Sequence, residues 1–424
     1  MANSFDSNFT RKLAQVFLEK FEAARVLSKN VDTQLLSGRF DPSSGANVDF
    51  KRPTDYRTNR HATGDATGFS DDIITGKATG TVQNYFTTFV SYDEADEAIK
   101  MDQLDQLLSP MATRIVTDME TDFAAFMMKN AGLLAGTVGT APTTWSDIAN
   151  WGAVMKANGV PSDDMWCAAV NPYTAATLAD VQRSLGAGGV AGGAVDSALK
   201  NATIVDRFAG MRVMTATTLA SFTSGAYGGD LAGTVNGAPD VTYATAKDTM
   251  TQSITVAGIG TFSGTVPAGT MWQVTGRNRM NLATRKAVVN GSGANVLWTA
   301  VQTSDATFTS GGGTVILSGP GIYEASGAYN TTDSAIANSD VITLLGAVST
   351  LYQPNMFWHR KAFGIGSVPI KKLYSTDTLA ETEDGLQIRV SKFSDGTKNQ
   401  QKVRFDFRPA YAVYNPFMAG HGWG

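Results

Sequence analysis

The stretch "SPMATRIVTDMETDFAAFMMKNAG", Ser109 to Gly132, predicts one long amphipathic helix. Its large apolar side chains recur every four residues and so share one helical face: Met111, Ile115, Met119, Phe123 and Met127. Serine is favoured as an N-cap and proline at the first helical position, so we expect the helix to begin at Ser109 and Pro110. Gly132 is the expected C-cap. About twenty residues make a rod of roughly 30 Å, which suits a structural spine.

The chain before this spine helix divides into an arm and a loop. Residues 1–42 begin with helical spacing and predict an N-terminal arm that packs elsewhere. Residues 43–81 are polar and rich in Gly and Thr, and they hold too little apolar surface to form a core of their own. Long segments of this kind are usually functional or disordered. We therefore predict a long two-stranded hairpin, the extended loop, which needs a partner surface. The strand-like "TVQNYFTTFVSY" then opens a region, 82–145, that contains the spine helix.

Beyond the spine helix the composition changes twice. Residues 146–221 alternate helix and strand patterns and predict an α/β domain, with a Gly/Ala-rich loop at 186–193. Residues 222–345 are short Thr- and Val-rich runs bounded by Gly and Ser, which predict a separate all-β barrel or sandwich. Residues 346–424 return to longer strands and end in "MAGHGWG", expected to be a loose tail. The all-β region is thus an insertion in an α+β chain.

Composition excludes several classes of protein. With 34 Lys and Arg against 38 Asp and Glu, the formal net charge is −4, whereas proteins that grip nucleic acid cluster basic side chains. A charged fraction of only 17% leaves much uncharged surface, which favours a protein that assembles. The single cysteine, Cys167, rules out an internal disulfide and is expected to be a buried thiol. The N-terminus has the pattern of neither a signal peptide nor a membrane anchor, so we expect a soluble chain made in the cytoplasm with no membrane partner.

The sequence offers no convincing catalytic, cofactor or metal site, and we expect none. Its three histidines, His61, His359 and His421, stand near no nucleophile motif. The basic run "WHRK" at 358–361 is predicted to be a solvated or interface strand. The acidic run from Asp93 to Glu97 could ligate a metal, but no His or second carboxylate cluster completes a site.

A charge relation inside the chain suggests a contact between identical subunits. Nine acids lie between Asp93 and Asp122, whereas the extended loop is basic. Head-to-tail contacts suit such a pairing. We predict that the loop of one subunit lies across the acidic spine region of the next. The candidate contact residues are Lys51, Arg52, Arg57, Arg60, Lys77, Asp93, Glu94, Asp96, Glu97, Asp118 and Glu120.

Five stretches of the chain resemble a known family. They are "SGRF" and "FKRPTDYR" around the extended loop, "RIVTDMETDFAAFMM" on the spine helix, "NMFWHRKAFGIGSVPI" after the insertion and "RFDFRPAYAVYNPFMAG" at the end. With the order of parts, they resemble the major capsid proteins of tailed phages that have the HK97-like fold. The insertion narrows the likeness to the P22-like coat proteins. The likeness covers essentially the whole chain and is weak only within the insertion.

The resemblance implies an α+β capsid fold with an N-terminal arm, an extended β-hairpin loop, a peripheral domain with the spine helix, an axial domain and an inserted β barrel. It also implies homohexamers and pentamers in an icosahedral procapsid, which forms with a separate scaffolding protein and a portal protein in the host cytoplasm. The shell would expand around double-stranded DNA and end in the virion. A weakly acidic wall agrees with this, because tight binding would impede DNA packing. The alternative is a phage tail or adhesin-type structural β protein.

Overall fold

The computed structural model describes the chain except residues 1–5, 34–46, 53–54, 59, 71, 94–103, 164, 186–200, 202–203, 326, 374–376 and 383. The chain forms two compact units. Unit 1 comprises Met1–Asp49, Thr79–Ala124 and Phe363–Ala412. Unit 2 comprises Phe50–Ala78, Ala125–Ala362 and Val413–Gly424. The Gly/Ala-rich loop at 186–193 lies outside the described residues.

Helices and strands are mixed along the whole chain. The α-helices are α1 Asp6–Ala24, α2 Leu104–Lys129, α3 Trp145–Ala157, α4 Pro172–Leu185 and α5 Tyr243–Ala246. The 3-10 helices are Ser28–Asn30, Tyr227–Gly229, Arg360–Ala362 and Pro416–Met418. The strands are β1 Asn47–Lys51, β2 Lys77–Val82, β3 Phe86–Asp93, β4 Leu133–Ala135, β5 Trp166–Val170, β6 Arg207–Phe208, β7 Met211–Thr215, β8 Phe222–Thr223, β9 Ala232–Val235, β10 Thr251–Ala257, β11 Gly264–Val266, β12 Met271–Asn278, β13 Leu297–Gln302, β14 Ala306–Phe308, β15 Gly313–Ser318, β16 Val341–Leu345, β17 Leu351–Tyr352, β18 Asn355–His359, β19 Phe363–Ser367, β20 Thr378–Glu381, β21 Gln387–Asp395, β22 Gln400–Phe407, β23 Pro409–Val413 and β24 Ala419–Gly422.

The spine helix is α2, and its apolar face is as predicted. All five side chains of the four-residue repeat are buried. The predicted start was wrong, because the helix begins at Leu104 and Pro110 lies inside it. An interior proline removes one backbone hydrogen bond and crowds the preceding turn. The segment "LDQLLS" just before it carries three leucines, which are strong helix formers and offset part of that cost.

Unit 1 is built on the four-stranded sheet β20-β21-β22-β3. Helix α1 packs on this sheet through aromatic contacts. Phe17 stacks on Phe405 at 4.7 Å between ring centroids, and Phe21 meets Phe407 edge-on at 5.4 Å. Below them, Asp406 is fully buried and accepts hydrogen bonds from Arg389, Arg404 and Thr87. A carboxylate buried this way keeps its charge only because cationic donors surround it.

In unit 2, the α/β part is a six-stranded sheet of order β4-β24-β18-β5-β7-β6. Strands β5 and β7 are parallel, and the chain between them contains α4, as the alternating pattern predicted. The predicted helix before β5 is α3, which Thr144 starts with a capping box. Its Trp151 stacks on Phe357 of β18 at 6.0 Å. Cys167 of β5 is buried, as predicted, and burial raises the pKa of its thiol to about 11.

A closed barrel occupies most of residues 222–345, which we call the barrel region. Its six strands run in the order β10-β15-β13-β12-β16-β9. The barrel is filled by apolar side chains around two fully buried tryptophans, Trp272 and Trp298. Trp272 donates its indole N–H to Gln302 Oε1 at 3.0 Å. A polar pair inside an apolar barrel is stable because each partner satisfies the other.

Candidate inter-subunit surface

The extended loop begins with β1 and ends with β2, and most of the described residues between these strands are exposed. Val48 and Phe50 lie in β1. Ile73 and Ile74 lie in no strand, because β2 begins only at Lys77. Among the described residues between 55 and 75, none lies in a strand. Most of these described residues are exposed.

Four of the predicted basic contact residues are exposed, and one is buried. Lys51, Arg57, Arg60 and Lys77 face solvent. Arg52 is only 8% exposed. Its guanidinium donates to the backbone carbonyls of Lys77 at 3.0 Å, Val413 at 3.2 Å and Tyr414. Burial lowers the pKa of Arg52 to about 10. The assignment of Arg52 to the inter-subunit contact is therefore withdrawn, since this side chain fixes the base of its own loop.

Of the predicted acidic contact residues, two are at least partly exposed and three lie outside the described residues. Asp93 is exposed at the end of β3, and Asp118 is half-exposed beside Arg114 at 3.1 Å. Glu94, Asp96 and Glu97 lie outside the described residues. The exposed loop cations are in unit 2, whereas Asp93 and Asp118 are in unit 1.

Glu120 was predicted as a contact residue and is instead 1% exposed. Its carboxylate accepts hydrogen bonds from Leu27 N at 2.7 Å, Ser28 N at 3.0 Å and Ser28 Oγ. Burial raises the pKa of Glu120, although these hydrogen bonds and the nearby Arg25 act in the opposite direction. The residue therefore holds the segment after α1 against the spine helix, and its assignment to a neighbouring subunit is withdrawn.

Apolar side chains on the extended loop were missed by the sequence analysis. Tyr56 and Phe69 are each 53% exposed, and Ile73 is 72% exposed. Burying side chains of this size against a partner would remove apolar surface from water. In the sequence, the signal for them was the presence of single aromatic residues within a run of Gly, Thr and Asp.

The basic run at 358–361 was predicted to be a solvated or interface strand, and the structure divides it. Trp358 and His359 are buried in a strand, whereas Arg360 and Lys361 are exposed in a 3-10 turn. Strand β18 lies between β24 and β5, and all five of its residues are buried. His359 accepts a hydrogen bond from Lys361 N at 3.1 Å and pairs through Nε2 with Asp163 at 2.7 Å. The strand ends there, and Arg360 begins a 3-10 turn.

The C-terminal "GHGW" was expected to be a loose tail and is instead a buried strand. β24 pairs with β18 and with β4, and His421 is 1% exposed. Both glycines of this strand are required by close packing. A Cβ at Gly422 would lie 2.5 Å from the Trp151 ring, and one at Gly420 would lie 2.3 Å from Phe357.

The buried His421 makes stability depend on pH. Burial lowers its pKa to about 4, whereas an unfolded histidine titrates near 6.5. The unfolded chain alone takes up this proton, so stability is complete above pH 6.5 and falls as the pH drops toward 4. We expect a loss of about 3 kcal/mol across that window. Urea unfolding of the unassembled chain at pH 7 and pH 4.5 measures it. His421→Gln should flatten the slope, and an unchanged slope would contradict the assignment.

Among the described residues, no group of three or more His, Cys, Asp and Glu side chains is arranged to hold a metal ion. In the same residues no helix has both the length and the apolar composition needed to span a bilayer.

Comparisons with known proteins identify the family of this chain. A family model described as P22 coat protein, gene protein 5, matches residues 1–423. The major capsid protein of Acyrthosiphon pisum secondary endosymbiont phage 1 is 36% identical over 427 residues, covering 100% of both chains. Among solved structures, a chain of Mycobacterium phage Che8 has a TM-score of 0.46 and 12% identity, over 93% of this chain and 90% of that one. A chain of the bacteriophage PhiM1 mature capsid has a TM-score of 0.44 and 9% identity, over 92% and 86%. The full-length family match and the 36% identical relative place this chain in the P22 coat protein family of phage major capsid proteins.

Proposed function

We propose that this capsid protein builds an icosahedral shell of hexamers and pentamers in which the extended loop of one subunit lies across the spine region of the next. Its family is one of structural capsid proteins and not of enzymes, so the chain is a virion component that associates with further copies of itself. The exposed apolar side chains of the loop are the observation that carries the proposal. Burying them against a neighbour would contribute about 25 cal/mol for each Å² of apolar surface removed from water.

Opposite charges on the two surfaces would determine how the subunits pair in this contact. The loop presents Arg57 and Arg60, and the proposed receiving surface presents Asp93 and Asp118. Exposed pairs contribute little individually, about 0.5 kcal/mol each, but they steer association and disfavour wrong partners. Because each contact recurs in every subunit of a closed shell, small terms accumulate.

Membership of the family supports a wider proposal. We propose the HK97-like capsid fold for this chain, a procapsid formed with a separate scaffolding protein and a portal protein in the host cytoplasm, and expansion as double-stranded DNA is packaged. A net charge of −4 favours a wall that encloses DNA without gripping it.

Charge reversal on the loop tests the proposed contact. Arg57→Glu with Arg60→Glu is expected to raise the protein concentration needed for assembly about tenfold, because two favourable pairs per contact become repulsive. Light scattering during assembly, repeated over a range of salt concentrations, measures it. The salt dependence should also change sign, since screening then relieves repulsion.

Two matched variants make the test specific. Arg183→Glu with Lys398→Glu makes the same change in net charge at exposed sites outside the loop and should assemble as the unaltered chain does. Adding Asp93→Lys and Asp118→Lys to the loop variant should restore assembly. An assembly threshold and salt response that the loop reversal leaves unchanged would refute the contact.

A further inference from the structure

The first limb of the extended loop is fastened to the barrel region. Asp55 forms an ion pair with Arg285, whose side chain is 23% exposed. The Asp55 backbone N–H also donates to the Tyr329 hydroxyl at 3.2 Å. Arg285 is held in turn by donating to Asn330 O at 2.8 Å. These contacts fix both the backbone and the side chain of Asp55 just before the exposed part of the loop.

The returning limb is fastened to the same region through different residues. Lys77 N donates to Asp248 Oδ1 at 3.2 Å. Gly76 passes so close to the Lys247 carbonyl that a Cβ would lie 2.5 Å from its oxygen. Ile74 packs against an apolar cluster that contains Tyr243 and Tyr329. The two tyrosine rings stack in parallel at 3.7 Å, which gives Ile74 a flat, rigid surface.

The backbone of Arg285 points to a role beyond packing. Its φ is +51°, in the left-handed region that glycine and asparagine adopt far more readily than arginine. Strain of this kind persists only where the surroundings impose it, and it concentrates at functional sites. The left-handed backbone alone would favour glycine or asparagine at this position. The feature that only arginine supplies there is a side chain that reaches Asn330 O and Asp55 together.

We propose that Arg285 is a positioning residue through which the barrel region holds the extended loop in a preset direction before a neighbouring subunit binds. The inference rests on the proposed role of the loop in the inter-subunit contact. A loop fastened at both limbs has lost part of its conformational entropy during folding of the subunit. Less ordering then remains to oppose association, which lowers the concentration at which subunits assemble.

Arg285→Asn separates this role from a merely structural one. Asparagine tolerates the left-handed backbone and is too short to reach Asp55. We expect hydrogen–deuterium exchange of peptides from the loop, residues 55–77, to become about fivefold faster in the unassembled full-length chain, as loss of a partly exposed ion pair allows. Exchange in the barrel strands should stay the same or slow, because backbone strain is relieved. The concentration needed for assembly should rise by a similar factor.

Two further variants control the experiment. Ser310→Asn places the same residue at another left-handed position of the barrel region, φ +48°, where the Ser310 backbone N–H bonds to Ser263 Oγ. It should leave loop exchange unchanged. Arg285→Lys keeps a positive charge near Asp55 but loses the simultaneous bond to Asn330 O, and it should restore part of the protection.

Each outcome decides the inference. Loop exchange that Arg285→Asn leaves unchanged, or that Ser310→Asn raises equally, overturns the proposed fastening. If loop exchange becomes faster but the protein concentration needed for assembly does not change, the fastening by Arg285 has no role in assembly. The loop-exchange result does not depend on where the loop lies in the shell. The assembly threshold does depend on it, and the charge reversals at Arg57 and Arg60 test that contact separately.

Discussion

Glu120→Ala is expected to lower the free energy of unfolding of unit 1 by about 3 kcal/mol, because three donors would lose their acceptor in a buried site. Leu27 N–H, Ser28 N–H and the Ser28 hydroxyl all donate to this one carboxylate. The segment after α1 should then separate from the spine helix more often. Urea unfolding of the unassembled chain measures the loss. Exchange of peptides from α1 and residues 25–33 shows where it occurs.

Glu120→Gln is the matched control for that experiment. Glutamine has nearly the same shape and keeps one acceptor oxygen, so at least one donor stays satisfied. We expect a smaller loss than with alanine. Asp118→Ala, two positions away and half-exposed, should change stability by less than about 0.5 kcal/mol. Equal effects of Glu120→Ala and Asp118→Ala would show that Glu120 does not anchor the segment after α1.

Trp272→Ala is expected to destabilise the barrel by about 4 kcal/mol. It empties the centre of a close-packed core and leaves the buried Gln302 Oε1 without its indole donor. Trp272→Phe keeps most of the packing and should cost about half as much. Circular dichroism during urea unfolding measures both.

Trp272→Ala also tests whether the stability of the barrel affects the extended loop. Because Arg285, Tyr329 and Asp248 all belong to the barrel region, loosening the barrel should also speed exchange in the loop. A barrel that loses stability while the loop keeps full protection would contradict the fastening between them.

Periodicity explains which parts of the fold were predictable. The four-residue repeat from Met111 to Met127 identified the spine helix, since burying one face is a property that local sequence carries. The same helix contained an overlooked signal at Glu120. It lies four residues after Val116 and four before Ala124, both buried, and so belongs to a buried stripe where an unpaired carboxylate would be costly. Its partners, Leu27 and Ser28, are distant in sequence and could not be identified from spacing.

The predictions for the C-terminal strand and for Arg52 at the base of the loop were wrong for the same reason. The alternation in "GHGW" has the period of a strand, yet its glycines read as flexible because nothing local shows that Trp151 and Phe357 lie against them. Arg52 looked like a surface charge, and its acceptors are carbonyls at 413 and 414. Contacts between residues hundreds of positions apart decide burial, and pattern within a segment does not determine them.

Negative-stain electron microscopy of this chain, produced alone and together with a candidate for the proposed scaffolding protein, tests the central claim most directly. The account predicts closed icosahedral shells with the partner and shells, sheets or aberrant particles without it. Light scattering on the same samples should show the matching rise in mass. Dispersed monomers under both conditions, or trimers and fibres of the kind formed by tail proteins, would contradict the account.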